Sequence, residues 1–215
     1  MQTTSTTPET QQYATAETAV AQERKYFELD VDMGLPTAPS VVWVNEREMK
    51  QGFCPDGRLP FRGLKVADVP QITFDRSKRR GKLRDAYSAL AGQWFVSDRL
   101  KKLLEQTDPQ AFVFIATEVD YSMFEEPGPA YWFCDLVRQL DCIDDEKSKF
   151  TLYDEVDFKA YKALIDIKMR ADVVGNAHAF RLLHQSMTQI VDDVFVQTMN
   201  AAKIRGFRFT AIQQN

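Results

Sequence analysis

The sequence predicts an α+β fold, in which a mixed and mostly antiparallel sheet packs against a few helices. Short apolar runs of strand length recur along the chain, and turns rich in Pro, Gly and Asp separate them. Two segments also combine a helix-capping residue with apolar side chains at helical spacing. We expect one domain over residues 25–215, preceded by a disordered tail at residues 1–24.

The composition excludes several classes of protein. Of the 215 residues, 44% are hydrophobic and 27% are charged, as in globular proteins. The apolar runs are shorter than the ~20 residues of a membrane helix, so we expect no membrane partner. Three cysteines favour a reducing compartment, and we expect the protein in the cytoplasm. The net charge of −4 disfavours generic nucleic-acid binding.

The tail is predicted from its composition. Residues 1–24 are rich in Thr, Gln, Ala and Glu, and Tyr13 is their one aromatic residue. Such a segment buries too little apolar surface to offset the entropy that ordering it would cost. It also lacks the basic-then-apolar pattern of a secretory leader. We therefore expect this segment to be flexible.

The first strand is expected at residues 25–31, where apolar residues alternate as in a half-buried strand. Residues 41–44 predict a second and more deeply buried strand, because they are Val-Val-Trp-Val. Pro and Asp-Gly within residues 52–63 are typical of a loop. A weaker strand is predicted around Pro70, within residues 66–74.

A basic run follows, consisting of Arg76, Lys78, Arg79, Arg80, Lys82 and Arg84. We expect this run to be exposed. Three interpretations stay open: a solvated loop, a partner-binding patch that includes Arg79 and Arg80, and a regulatory module that contacts nucleic-acid phosphates. Asp75 and Asp85 bracket the run and no aromatic residues are interleaved, which disfavours nucleic acid as its partner.

The strongest local signal begins with a short apolar strand at residues 94–96. Ser97 then stands where an N-cap should. Apolar residues recur at helical spacing after it, until Asp108 and Pro109 end the helix. Residues 111–116 are apolar throughout, which predicts a central strand covered on both faces.

Further strands are predicted in the second half. Residues 125–128 are typical of a turn, and residues 131–133 open a buried strand or a short helix that runs towards Leu140. Gly175 and Asn176 suit a turn. Additional strands are expected at residues 150–153, 164–167 and 179–183.

The end of the chain repeats the pattern of a short strand, a capped helix and a returning strand. Asp192 takes the N-cap position, Gly206 stops the helix, and Phe207 opens the returning strand. Phe207 follows Asp192 at the same separation as Phe112 follows Ser97. Two interpretations stay open, a pseudo-repeat on one mixed sheet or a coincidence, because strand–helix–strand units are common.

Four stretches carry a resemblance to a known family. They are residues 95–100, residues 140–148 (Leu-Asp-Cys-Ile-Asp-Asp-Glu-Lys-Ser), residues 179–182 (Ala-Phe-Arg-Leu) and residues 190–193 continued through 206–209. In their order and spacing, which span residues 94–209, the chain resembles the bacterial immunity-protein family numbered eleven among polymorphic-toxin immunity proteins.

The resemblance implies an antidote that works inside the cell. Such proteins are encoded beside a toxin that is delivered into neighbouring cells, and they bind that toxin and block it. The implied partner is therefore a cognate toxin, with a nuclease as one candidate, and the implied action is occlusion of its active site. The resemblance brings no catalytic residue with it.

Few side chains could support catalysis. His178 and His184 are predicted on one face of a strand, roughly 20 Å apart, which is too far to share a metal ion. Cys134 and Cys142 lie among apolar residues and are expected in the core, and with Cys54 they show no zinc-site spacing. No glycine-rich phosphate motif occurs, so we expect no cofactor. A small enzyme using Cys142 and His178, or an acidic site, is the alternative.

Acidic residues of the second half are the remaining candidates for partner binding. They are Asp141, Asp144, Asp145, Glu146, Asp154 and Glu155, and Asp157 belongs to the same face. Against a basic toxin this face would supply complementary charge, whereas an acidic toxin would favour the basic run. Residues 141–146 have a structural interpretation too, in which their carboxylates accept from amides at a turn or helix start. They lack the glycine of a calcium loop.

Overall fold

The computed structural model describes residues 24–32, 38–50, 69–75, 81–90 and 92–213. The predicted tail up to residue 23 and the predicted loop at residues 52–63 lie outside these ranges, as do the candidate residues Arg79 and Arg80. In the described ranges, no helix is long and apolar enough to cross a membrane.

The elements follow the chain in this order. The strands are β1 (Tyr26–Val31), β2 (Ser40–Trp43), β3 (Gln71–Asp75), β4 (Ala86–Ser88), β5 (Trp94–Ser97), β6 (Phe112–Asp120), β7 (Tyr131–Leu136), β8 (Gln139–Leu140), β9 (Lys149–Leu152), β10 (Tyr161–Asp166), β11 (Ala179–Leu182), β12 (Gln185–Asp192) and β13 (Phe207–Ala211). The helices are α1 (Glu46–Lys50), α2 (Asp98–Thr107), α3 (Ala171–Val174) and α4 (Asp193–Ala201).

These strands form three sheets. Six strands take the order β2-β3-β6-β7-β5-β4, five take the order β13-β1-β12-β11-β8, and β9 with β10 makes a separate two-stranded ribbon. Only β3–β6 and β8–β11 pair in parallel among the described strands. The predicted α+β class with mixed, mostly antiparallel pairing is therefore confirmed.

Helices α2 and α4 begin where the sequence predicts, because each has its capping side chain. The Ser97 hydroxyl accepts from the Leu100 amide at 3.3 Å, and the Asp192 carboxylate accepts from the Phe195 amide at 2.9 Å. Both helices then bury apolar residues at helical spacing. Gly206, the predicted stop, lies beyond the end of α4 and has a φ of 116°, which favours glycine.

The two strand–helix–strand units share a layout but occupy different sheets. In the six-stranded sheet, β5 and β6 flank the antiparallel strand β7. In the five-stranded sheet, β12 and β13 flank the antiparallel strand β1. The interpretation that both units pack on one mixed sheet is wrong, because the first unit lies in the six-stranded sheet and the second in the five-stranded sheet. A repeat as the origin of the likeness stays a prediction.

The largest apolar cluster joins the two large sheets and the two long helices. It contains Leu29 and Val191 from the five-stranded sheet, Trp94 and Leu136 from the six-stranded sheet, and Phe195 from α4. Leu100 and Leu104 of α2 are also fully buried in it. Burial of this apolar surface is the main stabilising contribution to the fold.

Two smaller clusters lie outside it. One contains Phe74 and Phe95 on the opposite face of the six-stranded sheet, since Phe95 alternates with its neighbours on β5. The other contains Tyr161 of the ribbon and Phe180 of the five-stranded sheet. The ribbon is therefore attached to the fold through one of its faces.

Strand β6 is central in its sheet and contacts an apolar cluster on each face, as predicted, but its cover is incomplete. Phe112 is buried, whereas Phe114 and the residues after it are half-buried or exposed. The aliphatic chain of Lys101 brings its ammonium over the rings of Phe114 and Trp132, at 5.1 and 4.7 Å from their centroids. A lysine can cover apolar surface while its charge stays in water, and here it takes the place of a packed layer.

Arg84, the last cation of the basic run, is buried, which corrects the expectation that the run is exposed. Its guanidinium donates to the carbonyl of Asp32, and its own carbonyl accepts from the Tyr131 hydroxyl. Lys82 in the same run is exposed. The run therefore ends in a structural arginine.

The strand predicted at residues 41–44 is the edge strand β2 and is not deeply buried, since Val42 is 44% exposed. The remaining differences are local. Residues 131–136 form a strand, which resolves the choice between strand and helix. Tyr153 lies outside β9. A short helix, α3, occupies the segment before the predicted turn, and Gly175 ends it with a φ of 52°. The weak strand predicted within residues 66–74 is β3, which begins after Pro70.

Candidate partner-binding surface

The acidic residues at 141–146 form a turn, as their structural interpretation predicts. One oxygen of Asp144 accepts from the backbone amides of Glu146 and Lys147, at 3.2 and 3.3 Å. Its other oxygen accepts from the Lys147 ammonium at 2.9 Å. The hydrogen bond from Lys147 is the main cause that lowers the pKa of Asp144. Asp144 therefore stabilises this turn.

Asp141 and Asp145 belong to a second group, which we call the Lys159 cluster: Lys159, Asp141, Asp145, Tyr161 and His184. The Lys159 ammonium pairs with Asp145 and lies 3.9 Å from Asp141. The Tyr161 hydroxyl donates to Asp145 at 2.6 Å, and Nε2 of His184 lies 3.4 Å from Asp141. The cluster ties the acidic turn to the ribbon and to the hairpin of β11 and β12.

The pKa values in the Lys159 cluster follow from these contacts. Partial burial alone would raise the pKa of Asp145, but the hydrogen bonds from Lys159 and Tyr161 outweigh it and the pKa is lowered. Burial, and then the hydrogen bond donated to Asp145, raises the pKa of Tyr161 to about 12. Asp145 is therefore held ionised beside a protonated lysine.

Residues 153–160 form the β9–β10 loop, which connects the two strands of the ribbon. The Tyr153 amide donates to the Ala160 carbonyl at 3.0 Å and closes its base. Two large aromatic side chains stay exposed on it, Tyr153 at 46% and Phe158 at 54%. The acidic side chains Asp154, Glu155 and Asp157 are exposed, and within the described residues they make no hydrogen bond or ion pair.

A groove with a volume of about 690 Å³ runs between this loop and the hairpin of β11 and β12. One wall is the β9–β10 loop, and the other is the hairpin at residues 183–188. The hairpin wall presents two more exposed apolar side chains, Leu183 at 47% and Met187 at 56%. The Tyr161 amide donates to the His184 carbonyl at 3.0 Å and joins the two walls.

Arg181 fixes the position of the hairpin wall through hydrogen bonds. Its guanidinium donates to the Ser186 carbonyl at 2.9 Å, to the Gly92 carbonyl at 2.9 Å and to the Asp135 carboxylate at 2.7 Å. Asp135 is nine-tenths or more buried, and desolvation raises its pKa even though Arg181 opposes the shift. The pair thus fixes one wall of the groove to the neighbouring sheet.

Arg181 is not among the functional residues that the sequence predicts. An arginine between Phe180 and Leu182 in a buried strand is a recognisable signal, because an arginine in such a position needs an acidic partner. The partner could not be read from the sequence, since Asp135 lies on another strand of another sheet.

The two histidines lie in different networks. His184 belongs to the Lys159 cluster, whereas Nδ1 of His178 lies 2.8 Å from Asp192. Asp192 also accepts from Arg24 at 2.8 Å. Arg24, assigned to the end of the predicted tail, thus makes an ion pair with the cap of α4, and this network is structural.

The cysteines Cys134 and Cys142 are buried, as predicted. Desolvation raises the pKa of Cys142 to about 12, so its thiol is protonated at neutral pH and is a poor nucleophile. Its sulfur lies 3.6 Å from the sulfur of Met169. Among the described side chains, no group of three or more His, Cys, Asp or Glu is placed to hold a metal ion.

The acidic candidates therefore divide into two sets. Asp141, Asp144 and Asp145 are engaged in local ion pairs. Glu146, Asp154 and Glu155 are exposed, and in the described part of the chain their side chains have no hydrogen-bond or ion-pair partner. Partner binding by either set stays a prediction, and Asp157 joins the second set.

Comparison with models of protein families gives a match. The model of a family described as an immunity protein family (Imm11) matches residues 25–214 of the chain. The match extends upstream of residues 94–209, over which the sequence motifs carried the resemblance. No curated protein matched the chain.

Proposed function

Because the chain belongs to the Imm11 immunity protein family, we propose that it binds a cognate antibacterial toxin and occludes the toxin's active site, without chemistry of its own. The family match over residues 25–214 carries this proposal. The exposed apolar groove beside the β9–β10 loop supports it, because contiguous exposed apolar surface rimmed by polar residues is typical of protein-binding sites.

The arrangement of the titratable groups also favours binding over catalysis. Cys142 is buried and protonated, and the histidines are engaged with the carboxylates of Asp192 and Asp141. A nucleophile needs a lowered pKa or an adjacent base, and an accessible position. Cys142 has neither a lowered pKa nor an exposed side chain.

Co-expression tests the proposal directly. The toxin encoded by the neighbouring gene is expressed in a sensitive bacterium, with and without this protein. We expect survival only when the protein is present. Failure to protect against that toxin would contradict the proposed function.

Titration of the purified proteins distinguishes occlusion from catalysis. Increasing amounts of the protein are added to a fixed amount of toxin, and the residual toxin activity is measured. An occluding inhibitor removes activity in proportion to the amount added, and complete loss requires equimolar protein. Complete loss at a small fraction of one equivalent would favour the alternative of a small enzyme that modifies the toxin or its product.

A further inference from the structure

We infer that the groove between the β9–β10 loop and the β11–β12 hairpin binds a segment of the toxin that carries both a cationic and an apolar side chain. This inference rests on the proposed function and goes further, because it assigns the contact surface and the chemistry of what enters it. Apolar side chains on both walls, uncompensated carboxylates at the rim and a fixed groove shape support it.

Both walls of the groove carry exposed apolar side chains. Tyr153 and Phe158 line one wall, and Leu183 and Met187 line the other. All four are between 46% and 56% exposed. Large side chains that face each other across a groove offer a partner apolar surface on two sides, which is the arrangement of an interface hot spot.

The charge at the rim selects the partner. Asp154, Glu155 and Asp157 lie on the loop between the groove-lining residues Tyr153 and Phe158, and within the described residues none of them has an ion-pair partner. Of the nearby cations, Lys159 is paired with Asp145, whereas Lys162 lies 6.0 Å from the centre of the Tyr153 ring and its charge offsets one of the three carboxylates. The rim therefore carries uncompensated negative charge, and complementary charge favours a cationic occupant.

The groove is held in shape before a partner arrives. The hydrogen bond from the Tyr161 amide to the His184 carbonyl joins the walls, and the Lys159 cluster fixes the loop base. Arg181 holds the hairpin through the Ser186 carbonyl. Binding to a preformed surface costs less conformational entropy than ordering a loop.

The size of the groove indicates what enters it. A volume of about 690 Å³ suits a few side chains of one segment and not a whole domain. A toxin loop with an Arg or Lys beside an apolar residue fits both the walls and the rim.

The β6–β7 loop (residues 121–130) supplies matched controls, because it carries the adjacent acids Glu125 and Glu126 and the exposed residue Met123. Binding of a catalytically inactive form of the toxin from the neighbouring gene is measured by calorimetry at several salt concentrations. The charge variant is Asp154→Asn with Glu155→Gln, and its control is Glu125→Gln with Glu126→Gln. The apolar variant is Met187→Ser, and its control is Met123→Ser.

We expect the charge variant to raise Kd about tenfold at low salt and to reduce the dependence of Kd on salt. Met187→Ser should also raise Kd about tenfold, with the salt dependence unchanged. Both controls should stay within about twofold of the unmodified protein. Circular dichroism checks that each variant is folded.

Four results would overturn the inference while leaving the proposed function intact. Unchanged Kd in both groove variants, or effects equal to those of the controls, would place the contact elsewhere. Tighter binding by the charge variant would mean an anionic occupant. An unchanged Kd in Met187→Ser alone would remove the apolar part. Groove variants that change self-association and not toxin binding would make a second copy of this chain the occupant.

Absence of toxin binding by the unmodified protein would instead contradict the proposed function itself.

Discussion

Two loops of similar composition each connect the strands of a hairpin, but one packs its aromatic side chains against the fold and the other leaves them half exposed. The β6–β7 loop carries Tyr121 and Phe124 beside acidic residues, and both rings fold back onto Phe74, each with its centroid 5.7 Å from that of Phe74. The β9–β10 loop carries Tyr153 and Phe158 beside acidic residues, and both stay about half exposed.

The difference in burial comes from the strands that pair with each hairpin. Strand β6 pairs with β3, so Phe74 of β3 lies within reach of the β6–β7 loop. The ribbon of β9 and β10 has two strands, and no third strand pairs with it among the described residues. An aromatic residue needs an adjacent apolar surface to be buried, and the surroundings of the β9–β10 loop cover only about half of Tyr153 and of Phe158. Sheet topology thus leaves one loop available for a partner.

Removing the Phe74 ring, on which Tyr121 and Phe124 pack, should have the largest effect on stability. In Phe74→Ala, a fully buried ring is lost, and Tyr121 and Phe124 lose the surface they pack on. We expect the free energy of unfolding to fall by about 3–5 kcal/mol, measured by urea denaturation. The β6–β7 loop should then resemble the β9–β10 loop and become sensitive to proteases.

Phe74→Leu serves as the milder variant if the alanine variant does not fold. It keeps an apolar side chain, so the expected loss is about 1–2 kcal/mol. Equal stability of Phe74→Leu and the unmodified protein, with no change in protease sensitivity, would contradict the role given to Phe74.

The sequence predicts the local parts of this comparison and not the long-range parts. The caps Ser97 and Asp192 and the turn at Asp144 were predictable because each bonds to amides within three residues of itself. The contact of Phe74 with the β6–β7 loop was not predictable, since the parallel pairing of β3 with β6 brings the two together.

The groove shows the same limit. Asp154 and Glu155 were candidates for partner binding from the sequence and remain so, but the groove and its second wall at residues 183–188 were not predicted. The two walls meet through a hydrogen bond between Tyr161, the first residue of β10, and His184, which lies in the turn between β11 and β12, and no local sequence pattern joins these positions. The buried pair of Arg181 with Asp135 joins strands of two sheets, and no local pattern marks that pairing.

A single methyl group should disturb the packed loop. A Cβ at Gly128 would lie 2.6 Å from Cε1 of Tyr121, and the Tyr121 ring is stacked on Phe74. Because the ring cannot move without losing that contact, Gly128→Ala should cost about 1–3 kcal/mol of unfolding free energy. Urea denaturation measures it. A stability equal to that of the unmodified protein would show that the ring moves freely, and the contrast between the loops would weaken.

The exposed loop is held at its base by charge, so its contribution to stability should depend on pH. The pKa of Asp145 is lowered in the folded protein, below an unfolded value of about 3.9. Its contribution is therefore present above that unfolded value and is lost as the pH falls through the folded pKa. Because the group is partly exposed, we expect Asp145→Asn to cost less than about 1 kcal/mol at neutral pH.

Comparing the two proteins across pH tests the sign of this effect. The difference in unfolding free energy between the unmodified protein and Asp145→Asn should shrink as the pH falls from about 6 to about 2. Gly128→Ala gives the matched comparison, because its effect on packing involves no titrating group and should be nearly constant with pH. A difference for Asp145→Asn that grows in acid would contradict the ion pair as the cause.

The smallest effect is expected where an aromatic side chain is exposed. Phe158→Ser should change the unfolding free energy by less than about 0.5 kcal/mol, because the ring is 54% exposed and contributes little burial. The matched variant Phe124→Ser removes a ring that contacts Phe74 and Tyr121, and should cost about 1–3 kcal/mol. If Phe158→Ser destabilises as much as Phe124→Ser, the ring of Phe158 serves the fold, and its exposure no longer argues for a partner. If the two variants differ as expected, Phe158 is an aromatic side chain that the fold does not need, which is the property that a binding surface requires.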